Sequence, residues 1–236
     1  MARSSKPKRP QRKRPAWRPL RWLRRMVLRT GLVIVALVLG LVALGTVLAP
    51  PTTPYMFSES RRLGGVDYEW VPLADIAPVM ARAAVAAEDA NFCLHWGFDV
   101  DQIRAAIEEG AGRGASTISQ QVVKNVYLWH GRSWLRKGLE AILTPLVEAI
   151  WSKRRIVEVY LNVAEFGTGV FGVEAASRTY FGKAPKALTA REAAQLAAVL
   201  PAPKRRSATA PSARARRIAD GAATINADGR AACFQD

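Results

Sequence analysis

Nineteen consecutive residues without a charge, Gly31 to Ala49 (GLVIVALVLGLVALGTVLA), constrain this chain more than any other feature. At 1.5 Å per residue the run makes about 28 Å of helix, close to the thickness of a bilayer's hydrocarbon core. A cleavable signal peptide has a shorter apolar stretch and a small-residue cleavage site. Here proline follows Ala49 directly and crowds the one site on offer. The run is therefore read as an uncleaved transmembrane helix over 31–49.

Charge agrees with that reading. The formal net charge of +16 would suggest nucleic acid, but it is concentrated at one end. Residues 1–30 hold twelve of the 35 Lys and Arg and no acid, which leaves 23 basic against 19 acidic residues in the rest. A basic tail before an apolar span keeps the N-terminus cytoplasmic and is drawn to anionic lipid. Pro7, Pro10, Pro15 and Pro19 interrupt any continuous basic helix there, so no nucleic-acid partner is expected. The remainder of the chain is expected on the outer face of the membrane. In that compartment Cys93 and Cys233 are free to form a bridge, or are simply two buried thiols.

Half of the 236 residues are hydrophobic and 23% are charged, which excludes wholesale disorder. Four segments are expected: a basic cytoplasmic tail over 1–30, the span over 31–49, a linker over 50–65, and one domain over 66–236. The linker carries turn formers and no periodicity. Val66–Val71 alternates weakly, as a short strand would. Helical signals then dominate, so the fold class is mainly α. Capping boxes open helices at Thr117 (T-x-x-Q) and Thr189 (T-x-x-E). The glycines of 165–172 require a turn, and a last helix carries a basic face of Arg214, Arg216 and Arg217.

The chemistry on offer is narrow. The chain has no phosphate-binding glycine loop, no GxSxG and only two histidines, His95 and His130. Carboxylates, amides and cations remain, the tools of glycosyl and phosphate chemistry. Glu88 closes an apolar run (AAVAAED), where partial burial would raise its pKa towards that of a general base, although acids at helix ends are usually solvated. Thr117, Gln120, Gln121 and Lys124 recur at helical spacing. They make either a phosphate site at a helix N-terminus or a capping box with a polar stripe. Arg132, Arg136 and Glu140 stand four apart, either an intrahelical ion-pair row or, with Lys124 and Lys137, a cationic pyrophosphate site holding a second carboxylate. The stretch KRRIVEVYLNVAEFGTGVFGVEAAS reads as scaffold.

Four motifs in this order, EDANFCLHWGFD, GASTISQQVVKN, RKGLE and KRRIVEVYLNVAEFGTGVFGVEAAS, resemble the peptidoglycan glycosyltransferase family. Its domain forms the transglycosylase module of class A penicillin-binding proteins and also occurs alone. The resemblance covers about residues 66–205 and is to the stand-alone form, since no transpeptidase motifs are present. It implies a lysozyme-like glycosyltransferase domain that polymerises lipid II in the bacterial inner membrane, with the domain periplasmic, and that is sensitive to moenomycin. By resemblance Glu88 is the general base and Glu140 the second carboxylate. Lys124, Arg132, Arg136 and Lys137 face the pyrophosphate, while Ser116, Thr117, Gln120, Gln121 and Asn125 hold the donor. Asp89, Phe92 and His95 shape the cleft. The sequence offers no dedicated metal cage, although the resemblance allows a divalent cation, Mg or Mn, at the pyrophosphate. Implied partners are lipid II, the growing glycan strand and the bilayer, with other cell-wall synthesis and division proteins as further candidates. Departures are small: Ser119 stands where Thr is usual, Asn91 where a basic residue is common, and Leu139 where some members are basic. A lysozyme-like hydrolase would share the fold but needs no cationic cluster, and a non-catalytic scaffold would need neither Glu88 nor Glu140.

Overall fold

The computed structural model describes residues 18–110, 114–131, 133–210 and 212–235. Residues 1–17 of the basic tail, 111–113 of the loop before Thr117, and Arg132 lie outside the described residues. The chain divides into two units, up to Leu41 and from Val42 onward.

The first unit holds most of α1 (Arg18–Leu44), whose Leu32, Val33, Ile34, Val35 and Leu37 are all exposed. A helix apolar on every side and uncovered is long enough and apolar enough to cross a membrane. It ends at Leu44, earlier than the expected limit at Ala49, because the chain turns at Gly45. In the second unit the carbonyls at this end are taken by side chains. Trp151 Nε1 donates to Val42 O (2.7 Å), and Arg155 donates to Gly45 O (3.0 Å) and Leu48 O (2.7 Å).

The stretch 50–65, expected as a linker, contains a helix, α2 (Pro54–Leu63). Thr53 caps it by accepting the Met56 N–H, Pro54 occupies the first turn and Gly64 ends it in the left-handed region. Its sequence shows no apolar periodicity because the buried face is only partly apolar: Tyr55, Met56 and Glu59. Strand β1 (Asp67–Tyr68) lies where the weak alternation suggested one.

The core is built from α3 (Pro78–Glu88), α5 (Ile118–Tyr127), α6 (Trp134–Ile150) and α7 (Lys153–Val163), while α4 (Val100–Glu108) lies outside it with no buried residue. Helix α7 is central, with Ile156, Val157, Val159, Tyr160, Leu161 and Val163 buried. The expected turn at 165–172 is a hairpin of β2 (Glu165–Gly167) and β3 (Val170–Phe171), antiparallel to each other, with β1 pairing parallel to β3. Gly172 follows at φ +80°, where a Cβ would stand 2.7 Å from the Asn162 carbonyl oxygen. Only glycine fits there. Asn162 spends its amide on the backbone of Val71, accepting its N–H (2.8 Å) and donating to its C=O (2.9 Å). Most of this stretch is buried scaffold, although Tyr160, Ala164 and Glu165 also line a cavity.

The domain closes with α8 (Gly172–Phe181), α9 (Ala190–Val199), α10 (Ala213–Ala227) and the short α11 (Ala232–Gln235). Both expected capping boxes are present, at Thr117 and Thr189. The alanines of α3 let α9 and α10 approach closely, so that a Cβ on Gly221 would sit 3.4 Å from that of Ala86. Cys93 and Cys233 form a disulfide across a separation of 140 residues, which resolves their two alternatives.

Candidate active site

Glu88 is the last residue of α3, and the next residue leaves helical geometry at φ −162°. Two adjacent acids therefore point in different directions. The Glu88 side chain, 12% exposed, reaches a cavity of about 650 Å³ lined also by Ser116, Gln121, Lys124 and Arg214. Burial raises the Glu88 pKa, against a downward pull from the Gln121 hydrogen bond and from Arg214, Lys124 and Arg206. A carboxylate held this way suits a general base.

Asp89 turns inward. It accepts the Ile118 N–H at 2.9 Å and pairs with His95 Nε2 at 2.8 Å. The carboxylate thus occupies the positive end of α5, where an anion is favoured. That corrects the expectation of a phosphate at this helix N-terminus, because Asp89 already fills the position. Phe92 is fully buried under the Lys153 ammonium (4.2 Å to the ring), and His95 is backed by Asp89. Neither lines the cavity, so both support the wall from behind.

Helix α5 divides its polar residues between two tasks. Thr117 and Gln120 are buried and committed to structure. The Thr117 hydroxyl donates to Gly97 O (2.6 Å), while Gln120 accepts the Thr117 N–H (3.1 Å) and donates to Glu140 (3.3 Å). The capping-box alternative therefore describes both. Gln121 and Lys124, one turn further, face the cleft. Gln121 Nε2 donates to Glu88 Oε2 at 3.0 Å. Among the described residues Lys124 makes no hydrogen bond or ion pair, and burial lowers its pKa against the upward pull of Glu140 and Glu88. Gln121 and Lys124 also line a second cavity of about 580 Å³, with Tyr55, Asn125, His130 and Lys204. The two cavities share this pair together with Leu200 and Pro201.

Glu140 is 3% exposed and saturated: Arg136 Nη1 donates at 2.9 Å, and Lys137 and Gln120 donate to its other oxygen. Arg136, Lys137 and Glu140 line neither cavity, but they lie close enough to act on the charge of Lys124. Their spacing gives the ion-pair row, without Arg132, which precedes the cap Ser133 and lies outside the described residues. Asp89, His95 and Asp99 bring ligand-type atoms within 4.8 Å of one another. Asp99, however, accepts Gln102 N–H and Asn91 Nδ2, as Asp89 accepts Ile118 and His95. Both carboxylates are thus held in place by protein donors.

Several residues at the site were not singled out from the sequence. Arg214 of α10 stands 3.7 Å from Glu88 Oε1. Glu148, buried beneath the site, takes the Ser119 hydroxyl and the Lys153 ammonium. Tyr55 stacks on His130 with centroids 4.0 Å apart and donates to Glu165 at 2.5 Å. The basic face of the last helix was the only sequence signal for Arg214. Nothing local marked the others.

A family model described as Transglycosylase matches residues 58–225. A protein named biosynthetic peptidoglycan transglycosylase from a Jannaschia species is 59% identical over 216 residues, 90% of each chain. Proteins of the same name from Pectobacterium atrosepticum and Salmonella enteritidis are 52% and 50% identical. They cover 82% and 84% of this chain and 84% and 87% of their own. With the motifs in order, the helical domain and this degree of identity, the chain belongs to the transglycosylase family.

Proposed function

We propose that this chain is a peptidoglycan glycosyltransferase that polymerises lipid II into β-1,4-linked glycan and releases undecaprenyl pyrophosphate, with the following residue roles. The observation that carries them is Lys124, a half-buried cation without a protein partner among the described residues, on the same helix face as the glutamine that holds Glu88. An unpaired buried cation is costly unless an anion joins it. The leaving diphosphate is such an anion, whereas a hydrolase releases a sugar and would gain nothing from the charge.

Glu88 takes the proton from the acceptor's 4-hydroxyl as that oxygen attacks the donor's anomeric carbon. The bond from that carbon to the diphosphate oxygen breaks, the diphosphate leaves with the electron pair, and the anomeric centre inverts. Lys124 meets the charge as it develops, which lowers the barrier because the cation is already in position. Glu140 holds Arg136 and Lys137 behind Lys124 and sets the field there. Ser116 and Asn125 provide hydrogen bonds at the two ends of the cleft. The basic tail and α1 support a single-pass protein of the inner membrane, with its N-terminus in the cytoplasm and the domain on the periplasmic side, where lipid-linked donor is presented.

The test is polymerisation of labelled lipid II by the full chain in detergent, with and without moenomycin, beside Glu88→Gln. The expected result is muramidase-digestible polymer that moenomycin suppresses, and a loss of about 10²–10⁴-fold in Glu88→Gln with unfolding unaltered. No polymer from folded wild-type protein, or a Glu88→Gln variant within tenfold of it, refutes the assignment.

A further inference from the structure

Ala87 and Ala90 line the same cavity as Glu88, and these two residues and Cys93 just beyond are each tied to a segment far along the chain. The Ala87 carbonyl accepts from Arg214 Nη2 (3.4 Å) and the Ala90 carbonyl accepts from Arg230 Nη1 (3.3 Å). Cys93 is bonded to Cys233. Phe234 packs on Phe92 with centroids 6.3 Å apart, and Gly221 brings α10 against Ala86 of α3. The three ties together fasten the end of α3 and the turn that follows it to the C-terminal segment.

Arg214 is distinctive within this arrangement. Its side chain lines the cavity, its Nη2 lies 3.7 Å from Glu88 Oε1, and its Nε is buried without a partner. A guanidinium with an unspent inner donor, beside the carboxylate and not in contact with either cavity-facing group of α5, is placed to fix the direction of Glu88. We propose that Arg214 is a positioning residue for Glu88, and that Ala213–Gln235 is the strap holding Arg214 in place, fastened by the Cys93–Cys233 bond. This rests on the reading of Glu88 as the general base.

The charges around Glu88 determine what losing Arg214 should do. Gln121 and Lys124 face it from α5, Arg206 from the loop after α9, and Arg214 from α10; Tyr160 of α7 and the neighbouring Asp89 complete the surroundings. Arg214 favours the ionised carboxylate, so its removal moves the Glu88 pKa upward. A base acts only when ionised. The acid limb of kcat/KM therefore moves to higher pH.

The experiment measures lipid II polymerisation by the full chain from pH 5 to 9, for wild type, Arg214→Gln, Arg214→Lys and the Cys93→Ser/Cys233→Ser pair. Arg214→Gln should shift the acid limb up by about one pH unit, a loss of about tenfold below the limb that shrinks as pH rises. Arg214→Lys should restore the limb, and the cysteine pair should shift it in the same direction by less. An unmoved limb in Arg214→Gln overturns the proposal. So does an equal loss at every pH with a raised KM, which would make Arg214 a substrate-binding cation. An unmoved limb in the cysteine pair overturns the strap. If Glu88→Gln itself polymerises lipid II, the reading beneath the proposal fails instead.

Discussion

Glu88 and Asp89 are adjacent carboxylates with opposite consequences when removed. Asp89 is 7% exposed and accepts from Ile118 N–H and His95 Nε2. In Asp89→Ala the Ile118 N–H, at a fully buried residue, loses its acceptor, which costs about 1–3 kcal/mol. Removing the charge from the start of α5 adds about 0.3–1 kcal/mol, and the lost His95 contact about 1 kcal/mol more. The sum is about 2–5 kcal/mol. For a domain of this size each kcal/mol lowers the melting temperature by about 2–4 °C, so a fall of about 10 °C is expected. Thermal unfolding of the detergent-solubilised chain, followed by circular dichroism, reads this directly, with Glu88→Gln as the control that should not melt earlier. A fall below about 3 °C for Asp89→Ala would mean that its carboxylate is not what closes the N-terminus of α5. The division of labour between the two acids would then be wrong.

Lys124→Met should weaken binding of a moenomycin-type phosphoglycolipid by about 10–100-fold while leaving the melting temperature equal or higher, since a desolvated cation is lost; unchanged affinity by calorimetry would remove Lys124 from the anion site. Gly172→Ala should cost about 3 kcal/mol or more, combining a left-handed φ with a Cβ 2.7 Å from the Asn162 oxygen. Denaturant unfolding within about 1 kcal/mol of wild type would contradict that geometry.

Local signals were legible in the sequence and long-range ones were not. The capping boxes at Thr117 and Thr189 were readable because donor and acceptor lie within one turn. Helix α2 had readable ends, Thr53–Pro54 and Gly64, but its face is buried by partners elsewhere in the chain, so its residues looked like turn formers. In the site, the motifs point to Glu88, Gln121 and Lys124, which the fold brings to one cavity. Phe92 and His95, expected by resemblance to shape the cleft, line neither cavity. The chain leaves α3 at Asp89 and carries them inward. Arg214 reaches Glu88 across more than a hundred residues, a distance over which spacing carries no information.

The chain contains only two cysteines, and they are bonded to each other. Within a single molecule there is consequently one oxidised pairing and no scrambled alternative, so maturation calls for an oxidant but not for an isomerase. The competing product is a crosslink between two molecules. Its yield grows with concentration, whereas the internal bond forms at a fixed effective concentration set by how well residues 213–235 have docked. A chain made from its N-terminus exposes Cys93 long before its partner, separated by 140 residues, is available. Crowded synthesis is the condition under which linked pairs should accumulate, visible as a band of doubled mass on a non-reducing gel.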